Sequence, residues 1–277
     1  MSTSQIEWTD DTWNPVRGCT KISPGCKNCY AATYAEFRRG VKGHAYEQGF
    51  DLRFVPKKIT EPLRKLQPRK IFVNSMSDLF QDNVPDDYIE AVTIVMLLAD
   101  WHVYQVLTKR SERMKEMLNG KLNYAAEAGH IFWGVSAENR EYGLPRIKDL
   151  RGTKIRNRFL SVEPLLDDIG KINLNGINWV IVGGESGPGC RPMKAEWALS
   201  VRDQCQQANV PFFFKQWGGY PKKKYGRTLE GKLYDEFPQA DTNPDIMPRK
   251  ERLALAESIE AELLTTTYPQ ELVSIHT

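Results

Sequence analysis

The sequence predicts an α/β protein built on a parallel sheet. Beyond an N-terminal cysteine segment, short runs rich in Val, Ile and Phe alternate with longer stretches of helical period. Strand, helix, strand alternation of this kind gives parallel strands joined by right-handed crossovers. The six apolar runs are KIFVN at 70–74, HVYQVL at 102–107, IFWGV at 131–135, RFLSV at 158–162, WVIVGG at 179–184 and PFFFK at 211–215.

Four stretches between and after these runs are predicted helices. The stretch 85–100 opens on Pro85 followed by two aspartates, where a helix dipole favours negative charge. The stretch 193–209 precedes the last apolar run, and 249–264 is the final helix. A helix over 140–150 is expected to be interrupted by Pro145.

Composition sets the outer limits of the interpretation. With 277 residues, 41% of them apolar, the chain can bury a large core. We expect a main α/β domain in residues 1–217 and a C-terminal extension of loop, hairpin and helix in 218–277, where Gly, Pro and charged residues end the alternation. The N-terminus does not have the pattern of a secretory signal, and no run approaches the roughly 20 apolar residues of a membrane span, so a cytoplasmic protein is expected.

The net charge of the chain does not show whether it binds nucleic acid. The chain carries a formal charge of +3, with local basic groups at Lys57–Lys58 and Lys222–Lys224. A dominant nucleic-acid binder usually carries more positive charge than this. Charge therefore neither requires nor excludes nucleic acid.

Three of the five cysteines, Cys19, Cys26 and Cys29, fall within eleven residues and predict a metal site. Thiolates at the start of a helix gain from its dipole, and a helical stretch follows Cys29. Three thiolates on an iron–sulfur cluster leave one iron open, whereas a structural zinc takes four protein ligands. Zinc, with a fourth ligand from His44, Cys190 or Cys205, stays as the alternative.

Polar groups follow each of the six apolar runs. In parallel α/β folds the carboxyl ends of the strands meet at one edge, and burying such groups without partners is costly. A shared site is therefore predicted there. Its candidate residues are Ser75, Ser77, Lys109, Ser136, Glu138, Glu163, Glu185, Lys215 and Trp217.

The glycine-rich stretch 183–191 follows the fifth run and can wrap backbone N–H groups around an anion. Arg191 adds a fork of donors, so Arg191, Lys215 and Trp217 are predicted substrate contacts. Glu185 and Cys190 are the candidate catalytic residues. A plain turn, a core cysteine and a Trp that closes the barrel rim are the alternatives.

The run Asn14-Pro15-Val16-Arg17-Gly18-Cys19, followed by Cys26-Lys27-Asn28-Cys29-Tyr30-Ala31, resembles the radical S-adenosylmethionine (SAM) superfamily, in its spore photoproduct lyase-like branch. The phrase 106–109, Val-Leu-Thr-Lys, is similar to the third strand of that branch. Six residues separate the first two cysteines, against three in the usual superfamily spacing. The whole chain also resembles a family of phage-encoded and bacterial proteins with a three-cysteine motif.

The resemblance implies a partial parallel (β/α)6 barrel with a [4Fe-4S] cluster at its top and SAM on the open iron. It implies that Ser75, Ser77 and Lys109 hold SAM, Lys109 through the SAM carboxylate, and that Ser136, Glu138 and Glu163 complete the cofactor site. The implied product is a 5′-deoxyadenosyl radical, and the implied reductant is an external electron donor such as flavodoxin or ferredoxin.

Three functions follow from this reading. The first is a radical SAM enzyme acting on a nucleic-acid or nucleotide substrate. The second is a zinc or iron–sulfur protein that binds nucleic acid or a protein partner without chemistry. The third is a radical SAM enzyme acting on a peptide or a small metabolite.

Overall fold

The computed structural model describes residues 1–221 and 225–265, so the predicted basic group 222–224 and residues 266–277 lie outside it. In chain order the strands are β1 (Ser2–Thr3), β2 (Asp11–Trp13), β3 (Val16–Arg17), β4 (Arg53–Phe54), β5 (Lys70–Val73), β6 (Val103–Thr108), β7 (Ile131–Ser136), β8 (Asn157–Val162), β9 (Trp179–Gly183), β10 (Phe212–Gln216), β11 (Thr228–Leu229) and β12 (Lys232–Leu233). The α-helices are α1 (Tyr30–Glu36), α2 (Glu61–Arg64), α3 (Asp86–Leu98), α4 (Ser111–Asn119), α5 (Arg140–Arg151), α6 (Ala195–Gln207) and α7 (Arg249–Thr265).

One eight-stranded sheet dominates the described residues, in the order β1-β2-β5-β6-β7-β8-β9-β10, and it curls as a half-barrel. All neighbours from β2 to β10 pair in parallel, and only β1 is antiparallel. The six predicted strands are confirmed as β5 to β10. The two N-terminal strands were not predicted, because two or three residues are too few to show a period.

The concave side of the sheet holds an aromatic core. Phe159 and Trp179 pack there with ring centroids 5.8 Å apart, and Trp8 from the N-terminal segment meets Phe72 at 4.6 Å. Gly134 in β7 makes room for this packing, since a Cβ at that position would lie 2.4 Å from the Phe159 ring. The convex side packs against the helices in a larger core of mixed aliphatic and aromatic residues.

Helix α5 corrects one sequence prediction. It continues through Pro145, which was expected to interrupt it. Asn139 caps the helix by accepting a hydrogen bond of 3.0 Å from the backbone N–H of Tyr142. Burial of Ile147 and Leu150 against the sheet adds to this cap, and together they outweigh the loss of one helical hydrogen bond.

The C-terminal residues pack on the half-barrel. The backbone N–H of Phe214 in β10 donates to the carbonyl of Tyr234 beyond the β11–β12 hairpin. Arg252 of α7 is buried and donates to the Leu63 carbonyl at 2.6 Å. A domain boundary at residue 217 stays a prediction. No helix in the described part of the chain has the length and apolar character that crossing a membrane requires.

Candidate functional site

A cavity of about 450 Å³ lies at the carboxyl ends of the parallel strands. All three clustered cysteines line it. Seven of the polar residues predicted for a shared site line the same cavity: Ser75, Ser77, Lys109, Ser136, Glu163, Glu185 and Lys215. The fold therefore brings together residues from segments far apart in sequence, as the strand-end pattern predicts.

The conformation of the cysteine loop depends on Gly18 and Gly25, and on helix α1, which begins directly after Cys29. Gly18 has φ +79°, and a Cβ there would lie 2.2 Å from the carbonyl oxygen of Asp51. Gly25 lies against Glu138, since a Cβ there would be 2.9 Å from Oε1. Cys29 is the N-cap residue of α1, so its thiol stands at the positive end of that helix.

Arg110 fixes the first cysteine. Its Nη1 donates to Cys19 Sγ at 3.2 Å and to Asp78 Oδ2 at 3.0 Å, and its Nη2 donates to both oxygens of Thr20. Asp78 in turn accepts from Thr108 Oγ1 at 2.6 Å. Arg110 is only 8% exposed, so a buried charge network joins the end of β6 to the cysteine loop.

The thiols differ in acidity. Burial, with the nearby charge of Asp78, raises the pKa of Cys19 to about 11, although Arg110 opposes the rise. Burial also favours the neutral form of Cys26, but hydrogen bonds from the backbone at Ile22 and the charge of Lys109 bring the pKa of Cys26 below its ordinary value. A metal would have to displace the proton of Cys19 in particular.

Unpartnered polar atoms concentrate around the cavity. Nine buried side-chain polar atoms among the described residues have no hydrogen-bond partner. Five of them belong to cavity-lining residues: Trp8 Nε1, Asn74 Nδ2, Ser77 Oγ, Arg110 Nε and Gln216 Oε1. An unmet buried donor or acceptor costs about 1–3 kcal/mol, so this lining fits a polar ligand with both donors and acceptors.

The cavity lysines differ in their pairing. Lys215 Nζ lies 2.8 Å from Glu163 Oε1, and both side chains are at most 15% exposed. Among the described residues, no ion pair involves the ammonium of Lys109. Lys109 therefore offers a positive charge to an anionic group in the cavity, whereas Lys215 is neutralised by Glu163.

Glu138 lies behind the cavity wall and does not line it. It is fully buried, pairs with Arg146 at 2.5 Å, and accepts a hydrogen bond from Ser23 Oγ in the cysteine loop. In this structure Glu138 holds the loop against α5. Its contact with a cofactor stays a prediction.

A second cavity of about 600 Å³ adjoins the first and holds three more predicted residues, Cys190, Arg191 and Trp217. Arg191 connects this cavity to the first one by donating to Glu185 Oε2 at 2.9 Å, and to the cysteine loop by donating to the Pro24 carbonyl at 2.9 Å. Burial disfavours the charged form of Glu185, but the hydrogen bonds from Arg191 and Asn28 leave its pKa below the ordinary value. Trp217 Nε1 donates to the Thr228 carbonyl at 2.8 Å, so the tryptophan is anchored to the C-terminal hairpin.

The three side chains named as a fourth zinc ligand lie away from the cluster cavity. His44 accepts from the backbone of Tyr46, Cys190 lines the second cavity, and Cys205 is buried in α6. Within residues 1–221 and 225–265, no three His, Cys, Asp or Glu side chains are grouped in a way that would hold a single metal ion.

Sequence reasoning assigned no role to Arg110, to Asn74 or to the N-terminal residues Ile6 and Trp8, all of which line the cavity. Arg110 follows Lys109 directly, so the strand-end pattern already contained it. Asn74 has φ +58°, a conformation that asparagine adopts more readily than most residues. The N-terminal residues gave no local signal.

Comparison with known proteins adds a family and one solved structure. No curated protein matches the sequence. A solved structure of spore photoproduct lyase in complex with a dinucleoside spore photoproduct is similar over 93% of this chain and 74% of that one, with 10% sequence identity and a TM-score of 0.40. The family model described as "protein of unknown function (DUF5131)" matches residues 3–238, and the chain therefore belongs to that family.

Proposed function

We propose that this protein is a radical SAM-type enzyme that binds a [4Fe-4S] cluster through Cys19, Cys26 and Cys29 and acts on a nucleotide or nucleic-acid substrate. The observation that carries the proposal is the single cavity at the strand ends. Three thiols line it together with five residues whose buried polar atoms lack partners. Three thiolates leave one cluster iron without a protein ligand, and the unpaired polar atoms suit a ligand bound beside it.

The residues present fit SAM. Its carboxylate calls for a cation, and Lys109 is a cavity lysine that makes no ion pair within the described part of the chain. Its amino group calls for oxygen acceptors, and Ser77 Oγ is buried without a partner. The Ser75 hydroxyl accepts a hydrogen bond from Asn14 Nδ2 at 3.2 Å, and the Ser75 carbonyl accepts one from the Tyr30 hydroxyl at 2.7 Å. These three residues are the proposed SAM contacts.

When bound, the reduced cluster would supply the electron that cleaves SAM to methionine and a 5′-deoxyadenosyl radical. The chain's own residues do the positioning. Arg110 and Asp78 fix Cys19, while Glu138 and Arg146 fix the loop before Cys26. Because Lys215 and Glu163 neutralise each other, they would place a donor and an acceptor in the cavity without adding net charge.

The nucleotide part of the proposal is supported by the apolar side of the cavity. Ile6, Trp8, Phe72 and Leu107 form an apolar wall there, and Trp8 Nε1 is a buried donor without a partner. An apolar wall with two aromatic rings and one hydrogen-bond donor suits a heterocycle that carries an acceptor. The resemblance to the lyase-like branch points to the same class of substrate.

The test is SAM cleavage under anaerobic conditions. Protein reduced with dithionite should release 5′-deoxyadenosine from SAM, and Cys26→Ala should abolish the release together with the iron. Lys109→Ala should raise the dissociation constant for SAM at least about tenfold, the effect of losing about 1.4 kcal/mol, with iron content unchanged.

Lys27→Ala is the matched control, because Lys27 lies between Cys26 and Cys29 but does not line the cavity. It should leave SAM affinity unchanged. Loss of iron in Lys109→Ala would contradict the role given to Lys109. Absence of 5′-deoxyadenosine from fully reduced, iron-loaded wild type would contradict the proposed function, and binding without chemistry would then be the better description.

A further inference from the structure

The helix that follows the cysteine loop presents large apolar side chains to solvent. On α1, Ala31, Ala32 and Ala35 face the protein. The opposite face carries Tyr34, and Phe37 follows as the C-cap residue; they are 43% and 82% exposed. Tyr30, which is 54% exposed, lies at the edge of the cluster cavity and donates its hydroxyl proton to the Ser75 carbonyl. This reverses the usual arrangement of a surface helix, in which the large apolar residues face inward.

Exposed apolar side chains also occur before and after the helix. Ile22 in the cysteine loop is 41% exposed, and Val41 in the turn after α1 is 49% exposed. Twelve large hydrophobic residues are exposed in the described part of the chain, and five of them fall in the segment 22–41. We call Ile22, Tyr30, Tyr34, Phe37 and Val41 the α1 face. Concentrated exposure of this kind marks an interaction surface more often than a chance distribution.

The segment that contains the α1 face is rich in positive charge. Residues 17–46 contain six Lys or Arg residues and one acidic residue, Glu36, although the whole chain carries only +3. The rest of the chain is therefore slightly acidic. Arg39 pairs both with Glu36, with Nε and Oε2 2.6 Å apart, and with Asp51, with Nη1 and Oδ2 2.8 Å apart, so the remaining positive charge of the segment comes from its other Lys and Arg residues. An apolar centre with a basic rim matches the anatomy of a protein interface and favours an acidic partner.

Two observations favour a protein partner over nucleic acid at this face. Ile22 and Val41 are aliphatic, so they offer no ring on which a base could stack. One side of the Tyr34 ring is already covered, because the guanidinium carbon of Arg38 lies 3.5 Å from the ring centroid. What remains exposed is the Phe37 ring together with aliphatic side-chain area, next to the charged side chain of Arg38.

The position of the α1 face indicates what the partner does. Tyr30 directly follows Cys29, and both residues line the cluster cavity. The α1 face thus begins at a proposed cluster ligand and runs outward over the surface. The proposed function requires one electron from outside for each SAM cleaved, and short separation between redox centres favours its transfer.

We propose that the α1 face is the docking surface for a small acidic electron-carrier protein. This inference rests on the proposed function. In the docked complex one electron leaves the reduced centre of the carrier and enters the cluster, and no bond forms or breaks at the interface. Phe37 and Val41 are the apolar anchors, and Arg38 and Lys42 are the nearest cations of the rim.

The experiment compares two reductants on the same iron-loaded enzyme. Dithionite is a small molecule that needs no docking, whereas flavodoxin, kept in its hydroquinone state by its reductase and NADPH, is an acidic protein. For Phe37→Glu and Lys42→Glu, flavodoxin-driven release of 5′-deoxyadenosine should fall at least about tenfold, the effect of losing an interface anchor or reversing a rim charge. Dithionite-driven release should stay within about twofold of wild type, because neither side chain lines the cavity.

Tyr124→Glu is the matched control. Tyr124 is 46% exposed in the turn Asn123–Ala125 before β7, at the end of the sheet opposite to the cluster cavity, and its substitution should change neither rate. Equal loss with both reductants, or an unchanged flavodoxin-driven rate, would overturn the docking proposal. So would loss of oligonucleotide binding in Phe37→Glu with normal flavodoxin-driven cleavage, since this would assign the face to nucleic acid. Wild type that releases no 5′-deoxyadenosine even with dithionite would instead contradict the proposed function itself.

Discussion

Arg110 is the residue that fixes the start of the cysteine loop, because its guanidinium binds Cys19 and Thr20. It contacts Cys19, Thr20 and Asp78 at the same time, and those partners come from different parts of the chain. Such a contact has no local signature, because Arg110 and Cys19 are 91 positions apart. The sequence predicts that polar residues at the strand ends share a site, but it does not predict which of them contact a cysteine.

A donor to a ligating sulfur withdraws charge from an iron–sulfur cluster and raises its reduction potential. Arg110→Met keeps much of the side-chain volume and removes the charge. We expect the midpoint potential of the cluster to fall by several tens of millivolts, as measured by a redox titration followed by electron paramagnetic resonance.

Arg113→Met is the control for this prediction, since Arg113 lies in the first turn of α4, which follows Arg110 at the N-cap, but donates to the carbonyl of Val84 and to Asp86. Its potential should equal that of wild type. An Arg110→Met protein with full iron content and an unchanged potential would show that the contact with Cys19 has no electronic effect.

At the scale of elements, the predictable parts are those whose pattern is local. Strands β5 to β10 are short and buried on both sides of the sheet. Their sequences are therefore nearly continuous apolar runs, which can be recognised without the structure. Strands β1 and β2 depend on long-range pairing of very short segments, and the continuation of α5 through Pro145 depends on tertiary packing. Neither of these could be read from propensity alone.

The entry into β6 contains a histidine that predicts how stability changes with pH. His102 is fully buried; its Nδ1 accepts from the Arg69 N–H at 3.1 Å and its Nε2 lies 3.2 Å from the Pro62 carbonyl. This pairing requires the neutral ring with its proton on Nε2. Burial lowers the pKa of His102 to about 4, because the charged ring would be poorly solvated and Nδ1–H would face another N–H.

Since the unfolded chain has a histidine pKa of about 6.5, it binds more protons than the folded protein between that value and about 4. The stabilisation is present above about pH 6.5 and is lost as the pH falls toward 4, on the order of 3 kcal/mol in total. The free energy of unfolding of wild type relative to His102→Gln should therefore decrease over this range in urea titrations. Parallel pH profiles for the two proteins would contradict a neutral, buried His102.

At the scale of the whole molecule, the cavity is built onto a core that does not need it. Neither the aromatic core inside the half-barrel nor the larger hydrophobic core behind it contains any of the three clustered cysteines. The cysteine loop is itself tied to the rest of the protein through Arg110, Glu138 and Glu185. The fold is therefore expected to form without a metal.

This leads to a prediction about the metal-free protein. Cys26→Ala should keep the far-ultraviolet circular dichroism of wild type and should unfold cooperatively. Its melting temperature should fall by only a few degrees, because ligand binding stabilises the folded state without creating it. Loss of regular secondary structure in Cys26→Ala would show instead that the metal organises the fold, as it does in small structural zinc modules.

The central claim is that the three clustered cysteines hold an iron–sulfur cluster with one open iron. Its most direct test is the content of iron, acid-labile sulfide and zinc in protein purified without oxygen. We predict about four irons and about four sulfides per chain, lost in Cys26→Ala. One zinc per chain with no iron or sulfide would contradict the claim.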